Sequence, residues 1–265
     1  MGKNKLKKFA EIERLDCVLQ YPREKILTQG FPYKGKWKEK IFHNDNPIVL
    51  ELGCGKGEYT VALARVNPDK NFVGIDIKGA RIWSGAKQVA EEGLQNAMFL
   101  RTEIENISNF FAPGEVEEIW ITFPDPQMQK TRKRLTSARF LNLYAGFMNT
   151  GGIVHLKTDS PFLFEFTSRI VDKNNLEVIE KYSDLYGEGK ADPVKSIKTF
   201  YESQWLSRGK SIKLLSFLLT SPQRAGKLKE VTMSIFQDPV EDDIPKDAYR
   251  AYSHHNPFFV QDELV

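Results

Sequence analysis

Cysteine is nearly absent: the 265-residue chain carries two, Cys17 and Cys54. Their separation fits neither a zinc ligand set nor a disulfide framework, so both are expected as free thiols and no metal site is expected. Long apolar runs are missing too. The longest, such as Ile212 to Leu219 and Ile153 to Leu156, fall far short of the roughly 20 residues that a membrane-spanning helix needs. The start, Met1-Gly2-Lys3-Asn4-Lys5-Leu6-Lys7-Lys8, has basic residues with no apolar stretch behind them and lacks the form of a secretory signal. No internal repeat and no low-complexity block occurs. These absences lead to the expectation of a soluble, cytoplasmic protein without a membrane partner.

What the chain does have is core material, with 41% hydrophobic and 12% aromatic residues, enough for one large α/β domain with extensions. A net charge of +3 is too small to argue a nucleic-acid partner by itself, but its placement is uneven. Residues 1 to 40 hold 11 Lys/Arg against 5 Asp/Glu, and residues 237 to 265 hold 2 against 7. The ends are electrostatically opposite.

Between them strands and helices alternate. Ile48-Val49-Leu50-Glu51-Leu52 reads as a buried parallel strand, and Gly57 to Val66 as a helix closed by Asn67-Pro68, the first half of a βαβ unit. Strands follow at Asn71 to Ile77, Ala97 to Arg101, Glu118 to Thr122 and Gly152 to Lys157, with helices at Gly79 to Glu92, ended by Gly93, and at Ser137 to Met148. The alternation predicts a doubly wound, mostly parallel sheet. Ile212 to Leu219 reads as an antiparallel or edge strand, and Val231 to Phe236 is a further apolar run. From Asp238 the chain is acidic and carries three prolines, with the aromatic cluster Tyr249, Tyr252, Phe258 and Phe259. The expected division is a basic N-terminal extension (1–45), a central domain (46–220) and a C-terminal extension with an acidic tail (221–265).

The densest chemical signal is Glu51-Leu52-Gly53-Cys54-Gly55-Lys56-Gly57. Glycines at alternate positions let the backbone turn sharply and approach a ligand, and the following helix offers free N–H groups. A glycine loop alone is equally a tight strand-to-helix turn. Two neighbours favour a ligand. Asp76 closes the next strand, where an acidic side chain accepts both ribose hydroxyls. Glu51 would repel an anionic pyrophosphate but not a zwitterionic, cationic sulfonium donor, so the E-x-G-x-G-x-G form favours S-adenosyl-L-methionine over a dinucleotide. Glu103, just after the third strand, is placed to meet the adenine, or is simply a helix-start glutamate.

The second signal is Phe123-Pro124-Asp125-Pro126, directly after the fourth strand and therefore at the ligand-binding edge of such a sheet. The flanking prolines restrict the backbone around Asp125. Lys130, Arg132, Lys133 and Arg134 follow, with Arg139 beyond. A cationic loop beside a transfer site suits a phosphate-rich acceptor, although charge runs are more often only solvated surface. Asp159 ends the fifth strand, and Thr199-Phe200-Tyr201-Glu202 adds groups able to read a base edge.

Together these segments resemble the bacterial tRNA (guanine-N7-)-methyltransferases. The landmarks are Lys34-Gly35-Lys36-Trp37, Asn44-Asp45-Asn46-Pro47 leading into the glycine loop, Gly74-Ile75-Asp76, Phe123-Pro124-Asp125-Pro126, the basic run to Arg134-Leu135, Lys157-Thr158-Asp159 and Thr199-Phe200-Tyr201-Glu202. They span about residues 31 to 220, and their order and spacing are far more specific than any one motif. The resemblance implies a Rossmann-like class I methyltransferase fold, S-adenosyl-L-methionine as cofactor, and tRNA rather than DNA as partner, acted on by a monomer or homodimer. It implies cofactor contacts at Glu51, Asp76, Glu103 and Asp125, with Asp125 also the catalytic residue, beside the cofactor contacts that the loop itself suggests at Gly53, Gly55 and Gly57. Substrate contacts are implied at Asp159, Thr199, Tyr201 and Glu202, beside the cationic Lys130, Arg132, Lys133 and Arg134. One departure stands out: a substrate-contacting family lysine falls on Gln129, in a shorter loop, so that Lys130 takes its part or the contact is lost.

Three other readings compete. A methyltransferase for a protein or small molecule leaves the basic loop without a task. A non-catalytic RNA-binding protein on a degenerate fold predicts loss of Glu51, Asp76 and Asp125, all present. A hydride-transferring dehydrogenase conflicts with Glu51 and with the glycine spacing.

Overall fold

Residues 3–189, 192–219 and 226–233 are described by the computed structural model. The chain divides into two units, Met1–Val231 and Thr232–Val265; of the second, residues 232 and 233 alone lie among those described.

At the centre stands β2 (Ile48–Leu52), buried along its whole length because helices cover both faces of a parallel sheet. Among the described residues eight strands form one sheet in the order β1-β4-β3-β2-β5-β6-β8-β7. The others are β1 (Val18–Gln20), β3 (Asn71–Asp76), β4 (Ala97–Arg101), β5 (Val116–Thr122), β6 (Met148–Thr158), β7 (Val178–Tyr182) and β8 (Lys213–Leu219). From β1 to β6 every pairing is parallel. β8 pairs antiparallel with both β6 and β7, as its short apolar run suggested. The helices are α1 (Lys3–Ile12), α2 (Arg23–Gln29), α3 (Glu58–Val66), α4 (Gly79–Glu92), α5 (Ala138–Tyr144), α6 (Pro161–Lys173), α7 (Leu185–Glu188) and α8 (Phe200–Leu206). Single irregular turns occupy Lys38–Phe42, Ile104–Asn109 and Thr131–Lys133.

Local chemistry explains the boundaries. α4 ends at Gly93 in the left-handed region, its N–H bonded to the Val89 carbonyl, the glycine C-cap expected from sequence. α6 begins at Pro161 behind Ser160, whose hydroxyl accepts from Leu163 N, satisfying a donor that the first turn leaves open. Two expectations are corrected. The helix read over Ser137 to Met148 stops at Tyr144, and Met148 already belongs to β6, because Phe147 and Met148 are needed as core on the sheet side. Residues 231 to 233 form no strand, and the rest of that apolar run, with the C-terminal aromatic cluster, lies outside the described residues.

The N-terminal segment joins the sheet rather than only preceding it. β1 pairs with β4 from Val18↔Phe99 to Gln20↔Arg101. Trp37 is fully buried, stacked on Phe111 with centroids 4.9 Å apart, and its indole N–H donates to the Phe110 carbonyl at 2.9 Å. Glu115 accepts from the backbone N–H groups of Gly35, Trp37 and Ala112. The Lys34 to Trp37 landmark is thus a structural anchor. Both cysteines are free.

Candidate active site

The parallel register sets Glu51 beside Gly74 and Trp120, and Trp120 beside His155, so β2, β3, β5 and β6 end on one edge. β3 and β4 lie to one side of β2, β5 and β6 to the other. The strand order reverses there, which is where an open α/β sheet leaves a ligand crevice.

The glycine loop fills the start of that crevice. Gly53 N and Cys54 N both donate to the Ile75 carbonyl, at 2.8 and 3.0 Å. Gly55 N donates to Asp76 Oδ2 at 3.0 Å, and Asp76 Oδ1 accepts from Lys78 N at 2.7 Å. Gly53 and Gly55 have φ of +77° and +56°, and a Cβ on either would meet nothing within 4 Å. The backbone there is bare toward open space, as close approach of a ligand requires. Gly57 does something different. A Cβ on it would strike the Phe99 ring, and one on Gly85 of α4 would lie 2.7 Å from the Lys56 carbonyl and from Phe99. Gly57 and Gly85 therefore let α4 pack against the loop.

Glu51 points into the protein, 3% exposed. Its Oε2 accepts from Thr60 N at 2.8 Å and from the Thr60 hydroxyl, and Oε1 accepts from the Thr122 hydroxyl at 2.7 Å. Burial pushes its carboxyl up to about 7; the bonds from Thr60 and Thr122 pull downward, and the Asp76 charge adds to the rise. The carboxylate is fixed in place yet poorly compensated, a setting that gains from an arriving cation.

On the other side of β2, the acceptor loop leaves β5 under backbone strain. Phe123 and Gln127 adopt φ of +47° and +48°, uncommon for residues with a Cβ and for Phe a real outlier. They bracket Pro124, Asp125 and Pro126. Asp125 is exposed, and its Oδ1 accepts from Gln127 N at 2.9 Å. Lys130, Arg132 and Lys133 are exposed on the following turn, as is Arg139. Arg134 is not: it is fully buried.

α8 joins the two loops. Phe200 N donates to Glu58 Oε2 at 2.7 Å, Lys56 Nζ sits 5.7 Å from the Phe200 ring centroid, and Tyr201 meets Phe123 edge-on at 5.5 Å. Thr199 caps the helix through Glu202 N. Glu202 is fully buried, 2.9 Å from Lys157 Nζ, and accepts from the Tyr186 hydroxyl. Lys157 also donates to the carbonyls of Ile197 and Lys195, and burial lowers its pKa against the pull of Glu202.

A family model described as "Putative methyltransferase" matches residues 45–215. A tRNA (guanine-N(7)-)-methyltransferase from Bacteroides fragilis is 51% identical over 253 residues, covering 96% of each chain. That of Christiangramia forsetii is 52% identical over 219 residues, 82% of this chain and 98% of the relative. The chain belongs to the tRNA (guanine-N(7)-)-methyltransferase family. Among solved structures, the 16S rRNA methyltransferase KamB superposes with a TM-score of 0.54 at 17% identity, over 69% of this chain and 92% of that one. An antibiotic-related methyltransferase gives 0.54 at 14% identity, over 77% and 96%. These two show the fold.

Within this family frame, the edge gathers Glu51, Gly53, Gly55, Asp76, Asp125 and Asp159, the last buried at the end of β6. Glu103 lies exposed after β4 and accepts from the Asn106 side chain at 3.0 Å. Three residues are placed otherwise than expected: Gly57 makes room for Phe99 and α4, Arg134 is fully buried, and the Glu202 carboxylate is buried against Lys157 and Tyr186. Sequence reasoning missed Thr60 and Thr122 as partners of the buried Glu51, and the pairing of Lys157 with Glu202; Thr122 and Lys157 are polar residues inside apolar strands, whereas Thr60 lies on α3 and gave no signal. His155 is a mid-strand residue, stacked on Trp120 at 4.0 Å with its Nδ1 2.7 Å from the Ser216 hydroxyl.

Proposed function

We propose that this protein transfers a methyl group from S-adenosyl-L-methionine to N7 of a guanine in tRNA. The observation that carries the reading is the meeting, at one sheet edge, of a bare glycine cradle flanked by Glu51 and Asp76 with an acceptor loop that presents Asp125 and three exposed cations. The residues present fit the cofactor. Gly53 and Gly55 leave backbone space, Asp76 receives the ribose hydroxyls with its remaining lone pairs, Glu51 supplies negative charge to the amino-acid and sulfonium end, and Glu103 meets the adenine. When bound, S-adenosyl-L-methionine supplies an electrophilic methyl group.

The protein's own work is positional and electrostatic. Guanine N7 carries an in-plane lone pair and no proton, so no general base is needed for its attack. Holding the reacting atoms in line at about 3 to 3.5 Å supplies a large part of the rate. Methylation leaves the base cationic, and Asp125, held in its turn by Gln127 N, stabilises that growing charge. Asp159, Thr199 and Tyr201 orient the base, while Glu202 fixes the start of α8 from below. Lys130, Arg132 and Lys133 neutralise backbone phosphates. A tRNA transcript with every guanine replaced by 7-deazaguanine tests the acceptor atom: it is expected to accept no labelled methyl, and incorporation equal to that of the ordinary transcript contradicts the reading.

A further inference from the structure

Arg134 ends the basic run, and sequence alone groups it with its exposed neighbours. Its surroundings separate it from them. The side chain is fully buried; Nε donates to the Pro126 carbonyl at 3.1 Å, and Nη2 to the Met128 carbonyl at 2.8 Å. The guanidinium carbon lies 4.6 Å from the Phe162 ring centroid and 4.5 Å from that of Phe166, both on α6. Nη1 is buried without a hydrogen-bond partner. A buried cation without a paired carboxylate is costly, so such a residue is kept for geometry rather than for charge at a surface.

The geometry is that of a loop closed on itself. Residues 126 to 134 leave Asp125 and return to it, because the guanidinium reaches back across the turn to the carbonyl of the very next residue. The planar fork holds two carbonyls in a fixed relative geometry, which the rotatable donors of an ammonium do not impose, and the two rings fix its plane. The strained backbone at Phe123 and Gln127 needs such an over-determined support to persist. Behind the loop, the segment 226–231 adds a brace. Asn142 exchanges hydrogen bonds with the Leu228 backbone in both directions, Asn174 does the same with Lys229, and Glu230 accepts from Ala138 N at the start of α5. Burial pushes the Arg134 guanidinium down to about 10, and the Glu230 carboxylate pulls it up.

We propose that Arg134 is a positioning residue: its guanidinium fork ties the carbonyls of Pro126 and Met128 so that Asp125 is held toward the reacting base, and it makes no phosphate contact. This rests on the function proposed above. The test compares Arg134→Gln, Arg134→Lys and Arg132→Ala in single-turnover methylation at saturating tRNA and cofactor, with cofactor affinity by calorimetry and tRNA affinity over a salt series. Arg134→Gln should lower the rate by about 100-fold, the scale of a small misplacement, with cofactor affinity and the salt slope as in the parent. Arg134→Lys, which keeps charge and donors but loses the rigid planar fork, should recover part of that loss. Arg132→Ala should differ in kind, weakening tRNA binding and flattening the salt slope by about one. A flattened slope in either Arg134 variant, or a parental rate in both, overturns the proposal. If Arg134→Gln does not fold, Arg134→Lys decides alone, a parental rate then overturning it. A parent that forms no N7-methylguanosine overturns the function itself, whereas an active parent with unaffected variants overturns only the positioning role.

Discussion

Glu51 shows how much one side chain's surroundings alter what it does. In sequence it is an acid two places before a glycine; in the structure it is a buried carboxyl with a pKa near 7, held by Thr60 and Thr122. Its folded pKa lies above the ordinary value of 4.5, so its contribution to stability is fully present at low pH and is lost as pH rises through about 7. A bound cation reverses that preference by favouring the carboxylate. Affinity for S-adenosyl-L-methionine should therefore rise about tenfold between pH 6 and pH 8, with proton release on binding at pH 6. Calorimetry in buffers of different ionisation enthalpy measures both. In Glu51→Gln the pH dependence should disappear. Equal parental affinity at pH 6 and pH 8 contradicts the assignment.

At the scale of elements, the packing of α4 on the glycine loop yields a second prediction. Gly85→Ala would place a Cβ 2.7 Å from the Lys56 carbonyl and from the buried Phe99 ring. Overpacking of this kind costs about 1 to 3 kcal/mol, and because the obstacle is loop backbone, cofactor binding should weaken with stability. Thermal unfolding of the variant, with and without cofactor, measures both effects; an unchanged transition contradicts the close approach. Sequence had shown where α4 lies, because its amphipathic spacing and Gly93 are local signals. The central strands were legible for the same reason, being apolar runs bounded by turn residues. β1 was not, since Val18–Gln20 is too short for a period and exists only through β4. α8 was also hidden, because Glu202 is buried by a partner, Lys157, 45 positions away in sequence. The glycine cradle and Asp125 could be read from spacing and from their place after strands. The inward turn of Arg134 could not, because composition makes no distinction between a cation in solvent and one between two phenyl rings.

Over the described residues, the sheet collects on one edge groups that are scattered from Glu51 to Asp159 along the chain. The parallel pairing of β2 with β3 and β5, and of β5 with β6, is what makes the glycine loop and the Asp125 loop neighbours. Antiparallel β8 then returns the chain across β6, and the 226–231 segment lies against α5 and the end of α6 through Asn142 and Asn174. No helix among the described residues is long and apolar enough to cross a membrane. The most direct test of the proposed function is incubation of the full chain with bulk tRNA and methyl-labelled S-adenosyl-L-methionine, followed by digestion to nucleosides and their separation. Label is expected in N7-methylguanosine alone; label in any other nucleoside, or none in RNA, would contradict guanine N7 as the acceptor.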